Sequence, residues 1–129
     1  DYHYAHIGKG NAFYRLQRYQ DAVNSYDRAL AIQPVDRKLQ VESDRFATLN
    51  LKGNALAQLQ KYNEALETYQ KATEEKVDFP EGWFNQGRML SALQRYNEAL
   101  AVYDKALAIK PDYADAKVSR AEVAQRLGQ

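Results

Sequence analysis

The sequence predicts an all-α fold, a solenoid of paired short helices, on the strength of three observations. Leu93 to Leu107 reads LQRYNEALAVYDKAL, and the chain nearly restates it as LQKYNEALETYQKAT (Leu59 to Thr73) and LQRYQDAVNSYDRAL (Leu16 to Leu30). Each copy has an upstream partner segment, and the glycines of those segments, Gly10, Gly53 and Gly87, keep the same two spacings of 43 and 34 residues. That is a repeat array with one nine-residue interruption. Apart from the turns after each proline, no stretch alternates strictly between apolar and polar residues, and no βαβ spacing occurs.

Taken in order, Asp1 is placed to cap a first helix running to about Leu16. Gln17 and Arg18 then turn the chain into a second helix from about Gln20 to Gln33. His3 and His6 stand at i, i+3 on the first turn; two such donors without a third carboxylate or thiol make a weak metal site, so His6 reads as a packing residue. After Pro34, VDRKLQVESDRF carries no Gly or Pro to break it, while Val35, Leu39, Phe46, Leu49 and Leu56 keep one helical face. The next helix is therefore expected to start near Asp36 and overhang the array; a break near Ser43, itself a good cap, is the competing reading. Its partner runs from Asn63 to about Lys76, and Pro80 opens the following helix. Asp112 reads as the cap of a last helix ended by Gly128, with Val118, Ala121 and Leu127 covering the third unit.

A glycine inside a helix costs roughly 1 kcal/mol against alanine, so three at one repeat seat must gain something in packing. The expectation is that Gly10, Gly53 and Gly87 let two backbones approach closely, helped by Ala22, Ala65, Ala99 and Ala29, Ala72, Ala106 from the facing helix. Six of the ten tyrosines fall at repeat seats and are assigned to packing.

With Gly, then Tyr, Ala, Tyr and Ala in a 34-residue helix-turn-helix unit, the chain resembles the tetratricopeptide repeat family. The first unit fills the family seats with Gly10, Tyr19, Ala22, Tyr26, Ala29 and Pro34. The second departs at Val77, where proline is usual, and only the third has the first-helix tryptophan, Trp83. The resemblance covers residues 3–36, 46–79 and 80–113 of a single domain, leaving an insert at 37–45 and a capping helix at 114–129. It implies a right-handed superhelix whose first helices line a concave groove for a peptide or helix of a partner protein. Carried over seat by seat, that groove holds Tyr4, Ile7, Asn11, Tyr14 and Arg15, then Ala47, Asn50, Asn54 and Gln58, then Glu81, Phe84, Arg88 and Ser91, with Val118 and Glu122 from the tail. One subgroup of the family clamps the C-terminal carboxylate of heat-shock chaperones with two Lys, two Asn and an Arg. Here those seats hold Ile7, Asn11, Leu51, Glu81 and Asn85, so only Asn11 fits and the clamp is disfavoured.

Composition narrows the function. Eighteen basic and seventeen acidic residues are interspersed, which gives no footprint for nucleic acid. No apolar run is long enough to span a membrane. The absence of cysteine rules out a disulfide framework and permits a reducing compartment, so a cytoplasmic setting is the expectation. A start at Asp1 reads as an excised or processed piece. There is no nucleophile with a base, no paired carboxylate site and no phosphate-cradling loop, so neither catalysis nor a cofactor is expected. Two functions remain: a groove that grips a partner's peptide or helix, and self-association into a homo-oligomer through the helix near 36–45 or the uncapped first unit. Along the groove, Asn11, Asn54 and Arg88 each follow a repeat glycine and are expected to form one polar ladder.

Overall fold

A computed structural model describes residues 2–32 and 42–128, with residues 42–44 as backbone alone. It contains α1 (Tyr2–Arg15), α2 (Tyr19–Ala31), α3 (Glu42–Gln58), α4 (Tyr62–Glu75), α5 (Pro80–Ala92), α6 (Tyr96–Ile109) and α7 (Ala114–Arg126). No strand occurs among the described residues. Each helix packs on the one before and the one after, and α5 also touches α7, so burial runs along the stack and not around one centre.

The second helices α2, α4 and α6 form because alanine and tyrosine recur four and three residues apart on one stripe. Ala22, Tyr26 and Ala29, with their counterparts Ala65, Tyr69, Ala72 and Ala99, Tyr103, Ala106, are all at most 1% exposed. The repeat glycines serve this stripe in a way different from the expectation. A Cβ on Gly10 would fall 2.5 Å from Cε1 of Tyr26, and one on Gly53 equally close to Tyr69. Gly87 meets Tyr103 in the same way. Each glycine thus makes room for an aromatic ring edge, not for bare backbone.

The helix pairs turn on Gln17, Gln60 and Gln94, all at φ 61. Arg18 N–H donates back to the Phe13 carbonyl at 2.9 Å and Gln17 N–H to Tyr14 at 3.0 Å, closing the carbonyls left open by the end of α1. The same pair of bonds recurs at Gln60 and Gln94.

Between units, specific polar contacts fix the register. Lys52 of α3 pairs with Asp27 of α2 at 2.7 Å, and Arg120 of α7 pairs with Asp104 of α6 at 2.5 Å. At the same seat in α5, Gln86 donates to Thr73 Oγ1 at 2.8 Å and to the Tyr69 carbonyl at 3.3 Å. Arg45 Nη1 donates to the Leu30 carbonyl at the end of α2, 3.0 Å away.

Some expected details change. Helix α7 starts at Ala114 with Tyr113, not Asp112, at its cap and no side-chain cap bond. Pro111 and Asp112 are spent in a turn closed by Tyr113 N–H donating to the Lys110 carbonyl at 3.1 Å. Ala116 and Val123 are the residues α7 buries against the stack, while Val118 is 59% exposed and Ala121 is also exposed. Pro80 does open α5, and Gly128 at φ 77 does close α7. Of the insert, the four residues from Glu42 to Arg45 belong to α3. Residues 33–41, with the expected start near Asp36, and the proposed cap Asp1 lie outside the described residues.

Candidate functional site

The first helices α1, α3, α5 and α7 place their equivalent seats side by side, and the residue after each repeat glycine is the most informative of these. In the first two units it is an asparagine held from behind. The Tyr26 hydroxyl donates to Asn11 Oδ1 at 2.6 Å, and the Tyr69 hydroxyl donates to Asn54 Oδ1 at 2.5 Å. Each amide has its carbonyl committed to the core, which turns its two N–H donors toward the half-open surface. In the third unit the seat is Arg88, exposed, and Tyr103 faces Ser91 and Ser119 instead.

Arg88 is positioned by its neighbours. Its Nη1 donates to Asn85 Oδ1 at 3.3 Å, and Asn85 Nδ2 donates to Asn50 Oδ1 at 2.9 Å. The guanidinium lies 6.0 Å from the centre of the Phe84 ring. This relay ties α3 to α5 across the unit boundary and leaves the rest of the Arg88 fork available.

Three hollows follow one another along this surface. The first, of about 240 Å³, is lined by Asn11, Tyr14, Arg15 and Asn54. The second, of about 300 Å³, shares Tyr14 and Asn54 with it and adds Asn50, Gln58, Phe84 and Arg88. The third, of about 410 Å³, shares Arg88 and adds Glu122 and Arg126. Shared walls make them one furrow in which Asn11, Asn54, Arg88 and Glu122 meet in that order. Tyr4 and Ile7 line none of the three: Tyr4 is 54% exposed and stands edge-on to His3, with centroids 5.1 Å apart, while Ile7 is half-buried.

Tyr113 is the furrow residue that sequence reasoning missed. It packs against Phe84, with ring centroids 5.2 Å apart, and burial pushes its hydroxyl above the ordinary tyrosine range, with Glu81 and Asp115 adding to the effect. The signal was its place one residue ahead of a unit, the seat Phe79 holds before α5.

The buried tyrosine hydroxyls behind the furrow are shifted the same way. Desolvation pushes Tyr26 up to about 12 and raises Tyr69 and Tyr103, so all three stay neutral donors across ordinary pH. His3 is buried and its Nδ1 lies 3.1 Å from the Ala29 carbonyl, a packing contact between α1 and α2. Among the described residues no group of three or more His, Cys, Asp or Glu is arranged to hold a metal ion. Nor is any described helix long and apolar enough to cross a membrane.

Similar solved structures share this architecture. The first tetratricopeptide domain of Spaghetti (RPAP3), bound to the HSP90 peptide SRMEEVD, superposes with a TM-score of 0.85 at 19% identity, covering 98% of this chain and 94% of that one. The Arabidopsis OM64 tetratricopeptide domain gives 0.82 at 24% identity, with 96% and 95% covered. The TPR2B domain of yeast Sti1, in complex with an Hsp70 peptide, gives 0.82 at 18% identity, with 97% and 98% covered. No curated protein sequence matches. Tetratricopeptide repeat signatures match residues 50–126 and, separately, residues 3–35. With its three glycine-and-tyrosine helix pairs and these matches, the chain belongs to the tetratricopeptide repeat family.

Proposed function

We propose that this chain is a non-catalytic interaction scaffold whose furrow grips an extended peptide or a helix of a partner protein. The observation that carries the reading is the pair of tyrosine-anchored amides: Asn11 and Asn54 have their carbonyls held at 2.6 and 2.5 Å, so their N–H donors are fixed in direction before any ligand arrives. Fixed donors suit the backbone carbonyls of a peptide of any sequence, because little ordering remains to be done on binding. Arg88 supplies a planar fork for a carboxylate or carbonyl, while Tyr14 and Phe84 offer apolar walls to ligand side chains. Solved relatives of the same fold were captured with HSP90 and Hsp70 peptides. The chaperone-clamp seats here hold Ile7, Leu51 and Glu81 where that subgroup has Lys, Asn and Lys, which argues for a different peptide class.

The test is selection of a displayed random-peptide library on the intact chain, followed by measured affinity for the enriched peptides. Asn54→Asp keeps an acceptor for Tyr69 and removes the outward donors; it and Arg88→Ala are each expected to weaken binding by about 1 kcal/mol. Enriched peptides whose affinity ignores both substitutions would place the binding surface elsewhere.

A further inference from the structure

The middle hollow of the furrow carries a carboxylate that the fold leaves without a counter-charge. Glu81 lines it and is half-buried, yet among the described residues it makes no ion pair and accepts no hydrogen bond. A first-turn acid suits the helix dipole, but the others of this kind face water or are paired. Glu64 is exposed, while Asp21 and Glu98 pair with Arg18 and Arg95. Around Glu81 the walls are aromatic: Tyr14, Phe84 and Tyr113 line the same hollow of about 300 Å³, and the Phe84 and Tyr113 ring centroids are 5.2 Å apart. Ring faces attract a cation through their quadrupole. Negative charge gathers at the Tyr113 end, where burial first, and then the Glu81 and Asp115 carboxylates, push the hydroxyl up, with Arg88 the smallest of the charges acting on it. Lys110 stands 4.9 Å from the centre of the Tyr113 ring but does not line the hollow. Arg88 does line it, with its guanidinium bonded to Asn85 and not to Glu81.

We propose that this hollow is the subsite for a basic side chain, a lysine or arginine of the partner's peptide, with its stem along Phe84 and Tyr113 and its cation against Glu81. The inference rests on the furrow reading above and narrows it to peptides that carry a positive charge at one fixed position. A long basic side chain lays its methylene stem on apolar surface and keeps its charged head for a carboxylate or water. Aromatic walls with one unneutralised carboxylate match both parts of such a side chain. An aliphatic side chain would fill the walls and bury Glu81 without a partner, and an acidic one would meet like charge.

The probe is the displayed random-peptide library, selected in parallel on the intact wild-type, Glu81→Gln and Glu81→Lys chains. Peptides enriched on wild type are expected to share a lysine or arginine at one position. Replacing that residue by norleucine, or Glu81 by glutamine, should each weaken binding roughly fivefold, and the two together no further. On Glu81→Lys the shared position should turn to aspartate or glutamate, a reversal that a Glu81 serving only the helix start, and felt only in thermal melts, would not produce. Enriched peptides that weaken with Asn54→Asp but have no shared basic position, or ignore Glu81→Gln, overturn this inference and leave the furrow reading standing. Peptides indifferent to Asn54→Asp, Arg88→Ala and Glu81→Gln alike, or a library that yields no binder, overturn both.

Discussion

The Tyr69 hydroxyl donates a 2.5 Å hydrogen bond to Asn54 Oδ1 from the second helix of the same unit, so one asparagine serves the core with its oxygen and the surface with its nitrogen. Substitutions should separate the two roles. Asn54→Ala strands a buried hydroxyl and is expected to cost about 1–3 kcal/mol of stability, read as a lower denaturation midpoint at unchanged m-value. Tyr69→Phe removes the bond from the other side and frees the amide to rotate, so ligand affinity should fall although Asn54 itself is unchanged. If Asn54→Ala melts like wild type, the bond contributes nothing to folding.

The glycine seats are expected to be the least tolerant positions in the chain. At Gly53 even alanine would bring its Cβ to 2.5 Å from the Tyr69 ring, which must shift within a packed interface. Gly53→Ala should therefore destabilise by about 1–3 kcal/mol despite the better helix propensity of alanine. Gly87→Leu and Ala99→Leu should cost at least as much. Gly8→Ala, facing open space, is the control and should stabilise by up to about 1 kcal/mol. Thermal melts of the four variants decide the matter.

Alkaline pH should unfold the array. A tyrosine whose folded-state pKa is raised stays protonated in the native chain while the unfolded chain ionises near 10. The unfolded state then binds fewer protons, so stability is fully present below pH 10 and falls as pH rises toward about 12, where Tyr26 itself ionises. Tyr69 and Tyr103 shift in the same direction and add to the slope. Tyr26→Phe should flatten it, and equal slopes for the two proteins would show that Tyr26 titrates normally.

The three left-handed glutamines are a reservoir of strain. An L-residue at φ 61 costs roughly 1–2 kcal/mol that glycine avoids, partly offset by the greater freedom of glycine in the unfolded chain. Gln60→Gly and Gln94→Gly should each raise stability by about 0.5–1 kcal/mol, measured by denaturant midpoint. A lower midpoint would mean that the glutamine side chains make contacts that outweigh the strain.

The repeats, the helix pairs and the alanine–tyrosine stripe were legible because each residue recurs at a fixed interval, and a single misreading would have broken three copies at once. What did not recur was harder to read. Asp112 suits a cap by type, but Pro111 ahead of it commits the pair to a turn, and Tyr113 takes the cap instead, with the helix starting at Ala114. Val118 looks like a core residue by hydropathy, yet the seats shared with α3 and α5 fall on Ala116 and Val123. The amide ladder was visible as a spacing, whereas its anchoring by Tyr26 and Tyr69 depends on side-chain reach between helices, which spacing does not encode.

The two matched ion pairs between units, Lys52 with Asp27 and Arg120 with Asp104, occupy the same seats although the chain joining the first pair is nine residues longer. Alignment between neighbouring units is thus dictated by the surfaces that meet, and connector length is free to vary. A change in the number of residues between α2 and α3 is therefore expected to leave the stacking of these two helices as it is.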